Sequence, residues 1–149
     1  MDSTLTLIGA GLAIGLAGLW VTLGEGMVAS ASLEAMGKNP DLEPTLKRIT
    51  IIGIALVESA AIYGLLIAIL ILYTDWLSGY QAIAAGLAVW LPGLATGLGE
   101  WRAAQSAIRA ILRNPDFEKQ IFNNMILFIA LVESAAIYGL LIAILTIYR

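Results

Sequence analysis

The chain has 149 residues, of which 60% are hydrophobic and only 13% charged, with no histidine and no cysteine. That is far more apolar surface than a soluble domain of this length could hide, so the expected class is an all-α membrane protein. Disulfides and thiolate metal sites are excluded, and any proton chemistry must run on carboxylates. The net charge of −3 says little about partners, and no nucleic-acid partner is expected.

In chain order, Met1-Asp2-Ser3 lacks the basic n-region of a cleavable signal, so the first apolar run is expected to stay in the mature protein as a span. That run, Leu5–Leu33, carries six glycines from Gly9 to Gly26 and one carboxylate, Glu25. Small residues four apart, such as Gly11/Gly15, let membrane helices approach closely, which predicts an inner, crowded helix. Asn39-Pro40-Asp41 then breaks the helix. The second span, Ile49–Tyr73, is rich in Leu and Ile and carries Glu58, Ser59 and Tyr63; an outer, lipid-facing helix is expected.

Thr74–Gly79 leads into the third span, Tyr80–Ile108, again Gly-rich, with Gly93/Gly97 four apart, Glu100, and a Pro92 expected to kink it. Asn114-Pro115-Asp116 precedes the fourth span, Ile121–Tyr148, with Glu133, Ser134 and Tyr138. Each stretch is long enough to cross hydrocarbon, which takes about 20 residues.

The sixteen letters ALVESAAIYGLLIAIL occur at Ala55–Leu70 and again at Ala130–Leu145, and the same shift of 75 residues aligns the two Asn-Pro-Asp turns and Gly24-Glu25 with Gly99-Glu100. The chain is therefore a tandem repeat of helical hairpins, residues 1–74 and 80–149, joined by residues 75–79. Two spans per unit make the copies parallel, unlike the inverted repeats of many transporters. Six of the eight Lys and Arg lie in or beside the two Asn-Pro-Asp connections, and Arg102 lies on the same side of the third span, which predicts that these connections face the cytoplasm in a multi-pass protein; a prokaryotic plasma membrane is expected.

Glu25 and Glu58 are equidistant from the first turn, and Glu100 and Glu133 from the second, so each pair should meet at one depth. Some 16 residues at about 1.5 Å each put that level roughly 25 Å from the turn, inside the hydrocarbon. An ionised carboxylate there costs at least about 2.5 kcal/mol, so all four need partners. A hydroxyl follows each outer-helix Glu by one residue and a phenol by five, from where the phenol can reach back to the carboxylate from a neighbouring position. The competing readings are helix-gluing neutral glutamates, interfacial tyrosines, serines bonded back to their own helix, and an interfacial ion pair of Glu100 with Arg102. Glu34, Asp41, Glu43, Asp116 and Glu118 read as solvated charges or partner contacts.

These features resemble the proteolipid (c or K) subunit of rotary ATPases over essentially the whole chain, and the doubling is similar to its duplicated-hairpin vacuolar and archaeal forms. The Gly-rich first helix, the polar turn and VESAAIYGLLIAI carry the resemblance. It implies a homo-oligomeric ring turning against a stator subunit with an essential arginine, with central-stalk contacts on Lys38–Glu43 and Arg113–Glu118. The chain itself would then catalyse nothing and hold no cofactor. Ion flow through the ring would drive, or be driven by, ATP chemistry in a soluble head.

The resemblance further implies Na⁺ as cargo, with H⁺ as the alternative, at Glu25, Leu56 (carbonyl), Glu58 and Ser59 and at Glu100, Leu131 (carbonyl), Glu133 and Ser134, with Tyr63 and Tyr138 alongside. The family's sodium binders commonly have Gln where Glu25 and Glu100 stand. Two carboxylates around one monovalent ion leave a surplus charge, so one of them should keep a proton. Two outer carboxylates mean two ions per chain per revolution, which favours a synthase. A small four-span proton-coupled exporter and a purely structural or pore-forming protein are the other classes; the parallel repeat and the lack of an aromatic cage in the first helix speak against the exporter.

Overall fold

Proline decides where the helices stop. In the computed structural model, which describes residues 3–149, α1 (Ser3–Lys38) ends before Asn39-Pro40 and α4 (Gly79–Arg113) before Asn114-Pro115. A residue preceding proline is pushed out of the helical region, and Asn39 and Asn114 sit at φ −143° and −144°. Each turn is a single 3₁₀ turn, Pro40–Leu42 and Pro115–Phe117. Then come α2 (Glu43–Val57), α3 (Ser59–Tyr73) and α5 (Glu118–Ile147). The expectation of an uncleaved start concerns Met1 and Asp2, which lie outside the described residues.

The helices are longer than the apolar runs that announced them. With 36 and 35 residues, α1 and α4 reach over 50 Å at about 1.5 Å per residue, against about 30 Å of hydrocarbon. Apolar composition marks only the lipid-facing length, whereas the helical hydrogen bonds continue through the polar residues up to the next proline. At the other end, Ser78 and Gln81 form a reciprocal capping box that starts α4.

The second span is not one uninterrupted helix. Glu58 separates α2 from α3 with φ −68° and ψ −21°, and its carbonyl accepts from both Ala61 N (3.0 Å) and Ile62 N (3.2 Å). This is a local 3₁₀-like tightening. The equivalent Glu133 lies inside the continuous α5.

Four helical stretches are long and apolar enough to cross a membrane: Ser3–Lys38, Pro40–Tyr73, Gly79–Arg113 and Pro115–Ile147. The long helices α1 and α4 pack chiefly on each other, α2 packs on α1 and α4 alike, α3 on α1 more than on α4, and α5 on α4, with a smaller contact between the second and fourth spans. Within one chain the inner and outer textures are not separated by burial: the first and second spans are covered to the same degree, and only the third and fourth differ in the expected sense. Tyr73, Trp76, Tyr80 and Tyr148 are exposed around the end opposite the turns, where aromatics suit a membrane interface.

Close approach rests on other glycines than the pairs singled out by spacing. A Cβ on Gly64 would run into the Ala13 carbonyl, and one on Gly139 would come within 2.5 Å of the Ala88 carbonyl, the same contact one repeat later. Gly9 and Gly86 press backbone against backbone where α1 crosses α4. Gly93 and Gly97 have only ordinary contacts, and Gly11 and Gly15 face open space. Spacing shows which residues are small, but not which face is covered. Pro92 lies within α4, and its ring packs on Gly139.

Candidate functional site

The core is divided by level. One buried cluster lies at the loop end (Ala13, Ile67, Leu77, Ala85), another at the turn end (Val28, Leu46, Ile108, Ile129), and between them a small group of Val21, Val57 and Ala60 with Trp101 beside it. The carboxylates occupy this thin middle level. Glu100 stands 13 residues before the end of α4, about 20 Å from the turn at 1.5 Å per residue.

Glu100 is fully buried, and neither carboxylate oxygen has a hydrogen-bond partner among the described residues. The ion pair with Arg102 weighed from the sequence does not form: Arg102 lies 5.4 Å from the centroid of the Trp101 ring instead. Two positions along a helix diverge by about 200°, so Arg102 points away from Glu100. Glu133, half-buried on α5, lies within electrostatic reach of Glu100.

The phenol that serves Glu133 comes from the other hairpin. Tyr63 on α3 donates from Oη to Glu133 Oε1 at 2.5 Å. Tyr63 and its own repeat's Glu58 are five residues apart, about 140° around the helix, so they point to different neighbours. Ser59, one turn below Tyr63, shares its face, and its buried hydroxyl lies beside the Tyr63 phenol. The structure thus brings Glu100 and Glu133 of the second hairpin together with Tyr63 of the first.

The other copy of the constellation is open. Glu25 is half-buried and within electrostatic reach of Glu58, which is exposed, and Tyr138 is 65% exposed. The Ser134 hydroxyl donates to the Leu131 carbonyl at 2.9 Å, so these two expected ligands are engaged with each other; the back-bond weighed from the sequence exists, at i−3 rather than i−4. Leu56 is partly buried and Leu131 is 64% exposed. Among the described residues no three carboxylates converge, and each constellation is a pair.

Polar contacts at the turn end escaped the sequence reading. Glu118 is not simply solvated: Arg48 donates to its Oε1, and Thr45 Oγ1 donates to its Oε2 at 3.1 Å, joining α2 to α5. Glu43 pairs with Lys47 at 3.8 Å. Near them, Thr50 donates to Ser32 Oγ at 2.5 Å and ties α2 to α1. The available signal was that Glu43 and Glu118 are repeat equivalents, each opening the helix after its turn.

A carboxylate held by a phenol beside a second, unpaired carboxylate can exchange a single cation or proton. Hence Tyr63→Phe should expose Glu133 alone. A hydrogen bond to a charged group contributes about 1.5–3 kcal/mol, so carbodiimide labelling of Glu133 should change roughly tenfold or more, with Glu58 in the same chain unchanged. Equal changes at both residues would contradict the cross-hairpin pairing.

Comparison with known proteins places the sequence in a family. The chain fits the ATP synthase C-subunit family twice, over residues 8–71 and 83–146. It is 37% identical over 139 residues to the K subunit of the A-type ATP synthase of Methanocaldococcus jannaschii, covering 93% of this chain and 59% of that relative's length. One copy of the repeat suffices for the shorter relatives. The ATP synthase c-subunit 2 of Cereibacter sphaeroides is 38% identical over 74 residues, 50% of this chain and 89% of its own. The ATP synthase c-subunit of Prochlorococcus marinus is 41% identical over 71 residues, 48% of this chain and 88% of its own. With four membrane-crossing helices, two family matches in tandem and an embedded carboxylate in each, the chain is an integral multi-pass membrane protein and belongs to the ATP synthase C-subunit family, in its duplicated-hairpin form.

Proposed function

We propose that the chain is a rotor subunit of a rotary ATP synthase, carrying Na⁺ on Glu58 and Glu133 as copies in a ring pass a stator. The observation that carries this reading is the Tyr63–Glu133 hydrogen bond across the two hairpins beside the buried, unpartnered Glu100. On this reading one ion site forms inside a single chain, from Glu100, Glu133, Tyr63 and Ser59, with the Leu56 carbonyl as the further donor that the family resemblance implies.

The second site takes the same form across a chain boundary. Shifted by one repeat, it consists of Glu25 and Glu58 with Tyr138, Ser134 and the Leu131 carbonyl of the next copy. Exposure follows the same logic: Glu100, inside the hairpin interface, is fully buried, and Glu25, its equivalent, is only partly so. Val57 is fully buried, whereas its equivalent Val132 is 37% exposed. A neighbour covering Glu25 and Val132 as the hairpins cover Glu100 and Val57 propagates into a closed ring.

Hard oxygen donors around a monovalent ion suit Na⁺, with one carboxylate of each pair keeping a proton; H⁺ alone is the competing cargo. Two ions per chain per turn favour ATP synthesis at modest driving force. A stator subunit with an arginine displaces the bound ion, and the central stalk docks at the turns, which face the cytoplasm.

The test is carbodiimide labelling of the solubilised ring, read site by site by mass spectrometry across pH, with and without NaCl. Glu58 and Glu133 are the expected labelled residues, and sodium should protect both near neutral pH. Labelling that follows pH alone makes the cargo H⁺, and labelling of one residue only removes the two-ion argument. The synthase direction fails if the intact complex makes no ATP under an imposed gradient.

A further inference from the structure

The 75-residue repeat lets the contact inside the chain be compared with the surfaces that the chain turns outward. Inside, α2 supplies the donors Thr45 and Arg48, and α5 supplies the acceptor Glu118. The Arg48 guanidinium also lies 5.2 Å from the centroid of the Phe122 ring. One repeat on, the donor positions hold Gln120 and Asn123, the acceptor position holds Glu43, and the ring position holds Lys47.

All four of these equivalents are exposed, and Glu43 and Lys47 form an ion pair of their own. Beside Asn123, a groove of about 280 Å³ runs between α4 and α5, lined by Ser106, Ala110, Ile121, Asn124 and Phe128 among others. Its equivalents in the first hairpin, Ala31, Ala35, Leu46, Ile49 and Gly53, are all buried. In the first hairpin the covering residues come from the second hairpin, with Ala104 packed on Gly53. What fits the open groove is therefore the same shape from a second copy: its first hairpin.

We propose that Gln120 and Asn123 seat on the Glu43–Lys47 ion pair of the next copy, so that neutral amides hold the junction between chains where an arginine–carboxylate pair holds the hairpins within one. This rests on the ring reading above. A carboxamide is suited to that place because its NH₂ donates to the Glu43 carboxylate while its oxygen accepts from the Lys47 ammonium. An arginine there, as at Arg48, would face Lys47 with like charge. The sequence thus changes donor and ring position together, Arg48/Phe122 inside and Asn123/Lys47 between copies, and each combination is matched in charge.

The chain has no cysteine, so the introduced thiols are the only ones on this subunit. In membranes holding the whole complex, the double variant Glu43→Cys/Asn123→Cys with a short bifunctional thiol cross-linker should give a ladder of linked chains on a denaturing gel. The pair Arg48→Cys/Glu118→Cys should give only an internally linked single chain. A linked dimer without a ladder, or no linkage at 43/123 in a ring whose integrity native mass spectrometry verifies, overturns the proposal. If mass spectrometry finds no ring in the unmodified protein, the ring reading itself fails. As an independent check, Asn123→Lys should lower the temperature at which the detergent-solubilised ring dissociates, and adding Lys47→Glu should restore it. An unchanged temperature, or no rescue, counts against the junction.

Discussion

Glu133→Gln leaves the assembled complex unable to synthesise ATP from an imposed ion gradient. The amide keeps the volume and a hydrogen-bond acceptor for Tyr63, so the packing of α5 survives, but the charge proposed to hold a cation beside Glu100 is gone. A pair of unit charges about 4 Å apart interacts by about 4 kcal/mol at an effective dielectric of 20, which corresponds to roughly a thousandfold in occupancy. Every copy in the ring carries the defect, so rotation stalls at the first mutated site that meets the stator. Glu58→Gln should do the same through the site shared between copies. Asp75→Asn, in the loop at the far end, should leave synthesis unchanged. Synthesis at the unmodified rate in both Glu variants would make the carboxylates structural and sink the rotor reading.

Gly64→Ala should prevent stable assembly, with Gly139→Ala close behind. The new methyl group would occupy the space of the Ala13 or Ala88 carbonyl oxygen. Overpacking a core by a methylene or so costs about 1–3 kcal/mol when side chains can adjust. Here the obstacle is backbone inside a helix, which can give way only if α3 separates from α1 or α5 from α4, so the loss should exceed that range. Moving either helix also moves the phenol–carboxylate contact, since Tyr63 is the residue before Gly64 and Glu133 lies six before Gly139. Gly97→Ala is the contrast: its nearest neighbour would be Val21 Cγ2 at 3.9 Å, an ordinary contact. Thermal dissociation of the solubilised ring would read the difference; equal stability for Gly64→Ala and Gly97→Ala would refute the close-approach argument.

The sequence by itself determined the membrane class, four spans, the duplication, and the two pairs of carboxylates at one depth. Those properties depend on composition and on spacing along one chain, and a 75-residue shift or an Asn-Pro turn reads the same whatever packs against it. Helix ends were less legible, because hydropathy tracks the lipid-facing length while hydrogen bonding runs on to Lys38 and Arg113. Only the tertiary structure decided partnership: that Tyr63 serves Glu133 rather than Glu58, that Arg102 turns to Trp101 and leaves Glu100 bare, that Glu118 joins the hairpins through Arg48, and that Gly64 rather than Gly11 lies under pressure. The physical reason is common to all four. A helix sets the direction of each side chain from position alone, but what stands in that direction belongs to another segment, and in a repeat the same direction meets a neighbouring hairpin once and open space the next time.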